Sequence, residues 1–191
     1  VVKIAQDVFI EFNKEILNEL KNHSVSARSI TSKENNIINV KAISEELGFV
    51  GTPYTIDVDV LKKIVKVNEV PVIAPLGLNS KNQVHNVNAD DVATFVASSL
   101  NARRLIIISD VAGVMDKDNN LISEINSSKV KEMIKRGEIS GGMQVKLNSA
   151  INISHKVKGT VIISGKKTRS LLFELLSDSG AGTLIRKWKI L

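Results

Sequence analysis

The 191-residue chain contains no cysteine. That excludes a disulfide scaffold and thiolate-bound zinc, and it fits a reducing compartment, so the expected location is cytoplasmic. Aromatic residues make up only 4% of the chain, which leaves Ile, Val and Leu to build the core. No apolar run approaches the roughly 18–20 residues that cross a bilayer, and no charged-then-apolar signal segment opens the chain. No membrane partner is expected. The chain opens "VVKIAQD", without methionine and directly in helical pattern, which reads as a trimmed or incomplete chain. Glycine comes late: the first is Gly48.

What is present describes a globule. Apolar residues are 43% of the chain, enough to bury a sizeable core in one full domain. The formal net charge is +6 and the pI about 9.5. The lysines are scattered over polar helix faces and turns, as at Lys14, Lys62, Lys63, Lys131, Lys135, Lys156 and Lys158. No basic run is interleaved with aromatics, so the charge reads as a solvated surface and no nucleic acid is expected.

Helical and extended patterns alternate along the chain. Residues 7–21 carry Val8, Phe12, Ile16 and Leu20 at helical spacing. Residues 25–44 are β-rich and broken by the turn "SKENN". The spacing predicts a helix over 57–67, capped by Asp57, with Val60, Leu61, Ile64 and Val65 inward. "VPVIAPL" (70–76), "RLIIISD" (104–110) and "TVIIS" (160–164) read as buried strands, the second covered on both faces. Helices are expected over 89–100, 127–136, 142–156 and 168–177, and a last strand at "GTLIRK". The fold class that follows is α/β: a three-layer sandwich with a mainly parallel central sheet and helices on both faces.

In such sheets ligands bind beyond the carboxyl ends of the strands, so the loops after 76, 109 and 164 are the places to search. Three near-misses are set aside. "GKKT" (165–168) lacks the first glycine of a phosphate loop, where Thr160 stands, and has Lys167 where Ser or Thr should follow the lysine. "DKDNN" (116–120) has Leu121 and Ser127 where a calcium loop needs Gly and Glu, and reads as a turn between short strands. His23, His85 and His155 have no ligand spacing, so no metal site is expected. "EISGGMQVK" (138–146) is more informative. A glycine pair opening a helix leaves backbone N–H groups at its positive end, which suits a phosphate, and Lys146 one turn in can reach the same anion. The other reading is a C-cap glycine after the 127–136 helix and a surface lysine.

Six motifs occur in one order: "GFVGTP" (48–53), "PVIAPLG" (71–77), "NVNADDVA" (86–93), "LIIISDVAGVMDKDNNLISEI" (105–125), "GEISGGMQVK" (137–146) and "DSGAGTLI" (178–185). Together they resemble the acetylglutamate kinases of the amino acid kinase family, through most of the chain from "FNKEI" (12–16) to near residue 186. The resemblance implies phosphorylation of the side-chain carboxylate of N-acetyl-L-glutamate by ATP, with Mg²⁺ accompanying the nucleotide, as an early step of arginine biosynthesis. It implies that Asn86 holds the amino-acid substrate, that Asp90 organises the catalytic lysines, and that Lys146 stabilises the transferring phosphoryl group. It implies that Asp110, Val111, Ala112, Gly113, Val114 and Met115 line ATP, with Glu138, Ile139 and Ser140 in contact and Gly141 and Gly142 near the phosphates. Asn88 stays open between substrate contact and helix N-cap. Asp91 reads as a solvated first-turn residue.

The departures matter equally. The family's opening lysine–glycine strand, triple-glycine loop and substrate arginine have no counterpart before Gly48. The expected division is 1–70 as the remainder of the amino-acid-binding half and 71–191 as the nucleotide-binding half, within one continuous globular unit. The family implies a homo-oligomer, a dimer or a hexamer. Two other functions stay open: a non-catalytic remnant that binds nucleotide or a partner, and a related kinase for another acidic amino acid.

Overall fold

The computed structural model describes residues 2–177 and 180–186. Asp178 and Ser179 of "DSGAGTLI", and Lys187 of the expected last strand, lie outside the described residues. The chain divides into two compact units, Val1–Ser99 and Leu100–Leu191. By packing, the division thus falls at 99/100, because the segment from residue 70 to Ser99 pairs and packs with the strands before it. The expected division at residue 70 concerned ligand roles.

The first unit opens with helix α1 (Val2–Asn22), followed by β1 (Ala27–Ile30), β2 (Ile38–Ala42), β3 (Val50–Ile56), α2 (Val58–Lys66), β4 (Val70–Ile73), β5 (Leu76–Leu78), β6 (Val84–Val87) and α3 (Ala89–Ser99). α1 lies on β1, β4 and β6. Its buried Asn13 donates from Nδ2 to the Val72 carbonyl oxygen at 2.8 Å, tying the helix to β4. Val8 and Phe12, read from helical spacing, lie on the outer face with Ile4, each more than half exposed. Ile16 and Leu20 of the same set are half-buried, and Phe9 and Asn13, offset around the helix, share the inward side with them. Asp57 caps α2 as expected: its Oδ1 accepts from the Asp59 and Val60 N–H groups, both at 3.1 Å. Leu61 and Ile64 are buried, but Val65 turns to solvent.

The expected strand over 70–76 is two strands. β4 runs parallel to β1, and after Ala74–Pro75 the chain enters β5, which belongs to a closed barrel of β2, β3, β6 and β5. The barrel is narrow enough to demand glycine. A Cβ on Gly77 would run into Val40, and one on Gly51 would sit 3.0 Å from the Val40 Cβ. Both glycines let strand backbones approach where a side chain would block closure.

The second unit contains β7 (Leu105–Ser109), β8 (Glu124–Asn126), α4 (Ser127–Lys135), α5 (Gly141–Ile153), β9 (Thr160–Ser164), α6 (Ser170–Leu176) and β10 (Thr183–Arg186). Its sheet has the order β7-β9-β10-β8, with β9 and β10 antiparallel and the two outer pairs parallel. Every residue of β9 is buried, as its sequence implies. β7 departs from expectation: it is an edge strand and Ile108 is 56% exposed. α4 and α5 pack on each other and on β8 and β10 respectively, while α6 covers β9. Gly182 is forced by packing, since a Cβ there would collide with the Ile162 carbonyl on β9. Buried Glu174 binds Arg104 at 2.7 Å and accepts from the Ala181 N–H at 3.0 Å, anchoring α6 to the segments that lead into β7 and β10. The α/β fold class holds in both units, and parallel pairings outnumber antiparallel ones among the described strands.

Candidate functional site

The candidate residues fall into two sets, one in each unit. The larger lies in the second. β7 ends at Ser109, and the chain turns through Asp110–Met115 into a hairpin whose arms meet at an antiparallel bridge between Met115 and Leu121. Asp116 closes that hairpin. Its Oδ1 accepts from the Asp118 and Asn120 N–H groups, both at 2.8 Å. These bonds, the Asn120 backbone bond foremost, hold the Asp116 carboxyl below its ordinary value. The "DKDNN" stretch is therefore the turn its sequence suggested, and its carboxylate is engaged in making that turn.

The second contribution comes from the junction of α4 and α5. α4 ends in a left-handed glycine, but that glycine is Gly137, at φ 74°. The Gly137 N–H bonds the Ile134 carbonyl and the Glu138 N–H bonds the Met133 carbonyl, each at 3.0 Å, the two bonds of a Schellman turn. The Gly141–Gly142 pair is thus not the C-cap of the preceding helix; it opens α5. Ser140 occupies the N-cap in extended conformation and makes no side-chain cap bond. A Cβ on Gly141 or Gly142 would meet nothing within 4 Å, so the space above this helix end is open. Gly141 sits at φ +57°, a conformation that favours glycine.

These two segments border one cleft of about 530 Å³. It is lined by Ser109, Asp110, Val111, Gly113, Val114 and Met115 from the first segment. Glu138, Ile139, Ser140, Gly142, Met143 and Lys146 line it from the second. Such a volume lies within the range of small-molecule sites. Of the residues singled out in this unit, Ala112 and Gly141 are not among its lining. Ser109 and Met143 line it without having been singled out. Ser109 is the last residue of β7, and Met143 directly follows the glycine pair, so a search extended by one residue at each motif would have included both. The arrangement offers a helix N-terminus, an open floor and a half-buried lysine, which together suit a phosphate-bearing ligand.

In the first unit, Asn86, Asn88 and Asp90 follow one another across the junction of β6 and α3. Asn86 pairs in the barrel, its N–H donating to the Phe49 carbonyl at 2.9 Å. Its Oδ1 is buried with no hydrogen-bond partner among the described residues. Asn88 caps α3: its Oδ1 accepts from the Asp90 N–H at 2.9 Å and the Asp91 N–H at 3.3 Å. Asp90 is half-buried in the first helical turn. Beside it, the Asp91 carboxyl is pushed above its ordinary value, first by burial and then by the charge on Asp90. His85, between these elements, is buried against Phe49 with its ring edge-on at 5.5 Å.

A model of the amino acid kinase family matches residues 1–164. The chain belongs to the amino acid kinase family. Among curated relatives it is 54% identical over 187 residues to an acetylglutamate kinase of Pelagibacter ubique, covering 97% of this chain and 65% of the relative. It is 38% identical over 176 residues to an acetylglutamate kinase of Campylobacter fetus, covering 91% of this chain and 63% of the relative. Among solved structures, a Streptococcus mutans protein superposes with a TM-score of 0.77 at 27% identity, over 91% of this chain and 66% of that one. The chain therefore spans less than two thirds of the length of these curated relatives. No helix among the described residues is long and apolar enough to cross a membrane.

Proposed function

We propose that this chain contributes to ATP-dependent phosphorylation of the side-chain carboxylate of N-acetyl-L-glutamate. A carboxylate oxygen attacks the γ-phosphorus of ATP, the bond to the β–γ bridging oxygen breaks, and the products are an acyl phosphate and ADP. The observation that carries the reading is the cleft on the second unit. Two segments far apart in sequence meet there at an open helix N-terminus with Lys146 alongside. The 54% identity to a named acetylglutamate kinase supports the choice of acceptor.

Phosphoryl transfer of this kind asks the protein to position two anions and neutralise the charge that develops between them. The N-terminus of α5 and its glycine pair hold phosphate oxygens through backbone N–H groups, and Lys146 neutralises the transferring group. Asp110–Met115 and Glu138–Ser140 flank the nucleotide. Asn86 donates to a substrate oxygen through its amide, and Asp90 fixes the position of lysines by its charge. Asn88 serves as the cap of α3. The oxygen donors Asp110 and Glu138 suit Mg²⁺, which holds several waters and few carboxylates when it accompanies a nucleotide. Among the described residues no group of three or more His, Asp or Glu side chains could hold a metal by itself. The outer face of α1, with Ile4, Val8 and Phe12 exposed, supports a homo-oligomer. The cysteine-free sequence supports a cytoplasmic location.

Calorimetry with ATP and ADP in the presence of Mg²⁺ tests the nucleotide part. Folded protein with no affinity at millimolar nucleotide overturns it. Trapping the acyl phosphate with hydroxylamine, in an assay of the full-length protein, tests the acceptor. Nucleotide binding without hydroxamate from N-acetyl-L-glutamate overturns the kinase reading and leaves a binding protein.

A further inference from the structure

Thr183 is fully buried, yet its side chain carries a hydroxyl. Both sides of that hydroxyl are used. It accepts from the Val114 N–H at 2.8 Å and donates to the Ile122 carbonyl oxygen at 2.6 Å. Val114 and Ile122 face each other across the two arms of the hairpin, joined by the Ile122 N–H to the Val114 carbonyl oxygen at 2.9 Å. One side chain on β10 therefore bonds both arms of the loop that lines the cleft.

The loop is shaped to receive it. Gly113 sits at φ +150°, and a Cβ there would collide with the Thr183 hydroxyl and approach Leu121 at 2.9 Å. The glycine is required by the threonine as much as by its own backbone conformation. Immediately past the other arm, the Leu184 N–H donates to the Ser123 carbonyl oxygen at 2.9 Å. Gly182 gives β10 its close approach to β9. The Gly182–Thr183 pair thus fixes the strand against one neighbour and the cleft loop against the strand.

We infer that Thr183 is a positioning residue for the cleft: its hydroxyl sets the conformation in which Asp110–Met115 receives the nucleotide, an inference that rests on the nucleotide reading of that cleft. Thr183 does not line the cleft and acts through Val114 and Gly113. Thr183→Val keeps the shape and removes the hydroxyl, leaving the Val114 N–H and the Ile122 carbonyl oxygen without this partner. Thr183→Ser keeps the hydroxyl.

The test measures amide hydrogen exchange at Val114 and its neighbours together with ATP affinity by calorimetry. Thr183→Val should speed exchange through the 111–122 hairpin and weaken ATP binding by about tenfold or more, the scale of a lost buried hydrogen-bond partner. The KM for the amino-acid substrate should not move with it. Thr183→Ser should restore exchange and affinity to near wild type. Where Thr183→Val does not fold, Gly113→Ala carries the test, since its methyl displaces the same hydroxyl and should give the same two changes. Unaltered exchange, faster exchange with unaltered ATP affinity, or a serine variant as weak as the valine one would each overturn the inference. Wild-type protein with no nucleotide affinity would overturn the nucleotide reading and the positioning role with it. Exchange alone would still report whether the hydroxyl holds the hairpin.

Discussion

In the first unit Asn86, Asn88 and Asp90 lie within five residues of chain, whereas the cleft of the second unit draws on two segments separated by more than twenty residues. The difference governs how much each arrangement says about function. A polar cluster at a strand–helix junction has a ready local explanation, and the structure supplies one for Asn88, whose carboxamide oxygen caps α3. A cleft assembled from distant segments has none. The φ of +57° accounts for Gly141, but nothing in the packing of α5 requires a glycine at Gly142, and a C-cap is already provided by Gly137.

Lys146 should separate the two units by the largest effect. In protein that turns over N-acetyl-L-glutamate, Lys146→Ala should lower kcat by roughly 10²–10³, the loss of one preorganised donor to the transferring charge. The fold should survive, because Lys146 lies at the surface of the cleft and the buried residues of α5 are Leu147, Ala150 and Ile153. Hydroxamate formation and thermal melting on the same variant separate the two. Near-normal kcat would return Lys146 to an ordinary surface role.

Asp90 tests the other side. Asp90→Asn keeps the shape of the first turn and the backbone N–H that Asn88 caps, but removes the charge. Turnover should fall by about 10²-fold, while ATP affinity measured by calorimetry changes little. Equal losses in both would mean that Asp90 acts by holding the fold, and the distinction between a local cluster and a functional one would fail there.

Much of this was legible in the sequence, and unevenly so. β9 spans residues 160–164, as read from the sequence, and Asp57 caps α2 as its position implied. These are local features, set by side-chain periodicity and cap chemistry. The break of the 70–76 run into β4 and β5 was not legible, because the closed barrel depends on Gly51 and Gly77 meeting Val40 across strands. The exposure of Ile108 escaped for a similar reason: an apolar strand looks the same at a sheet edge as at its centre. The loop after Ser109 and the glycine pair with Lys146 were picked out by strand-end position and helix-start chemistry, and the resemblance to a family supplied their roles. Thr183 was passed over because a threonine that opens a short strand gives no signal until its partners on the 114–122 hairpin are seen.

A smaller effect separates cap from ligand contact at Asn88. Asn88→Ala should cost about 1 kcal/mol of stability, as expected for an N-cap, and Asn88→Ser should recover most of it. If the cap is the whole of its role, the KM for N-acetyl-L-glutamate will be the same in the serine variant as in wild type. A several-fold rise in KM in the stable serine variant would place the carboxamide in the substrate pocket as well.

The smallest effect, and the one with the clearest sign, contrasts two aspartates. Asp91 in the first unit has its carboxyl raised above the ordinary value by burial and by Asp90. The unfolded chain therefore holds that charge more readily than the folded one, and the ionised group lowers stability near neutral pH. The penalty fades as pH falls through the raised value and is gone below the ordinary carboxylate value. Asp91→Asn should accordingly stabilise the protein at pH 7, by about 0.5 kcal/mol or less for so exposed a group, and lose that advantage in acid. Asp116 in the second unit is shifted the other way, by the Asn120 backbone N–H above all. Its ionised form favours the folded state, with the benefit present above the ordinary value and lost as pH falls through the lowered one. Asp116→Asn should therefore weaken the protein at pH 7 and match wild type in strong acid. Urea denaturation of both variants across the carboxylate range measures this, and two curves bending the same way would show that the hydrogen bonds at Asp116, or the burial and the Asp90 charge at Asp91, do not act on these carboxylates as described.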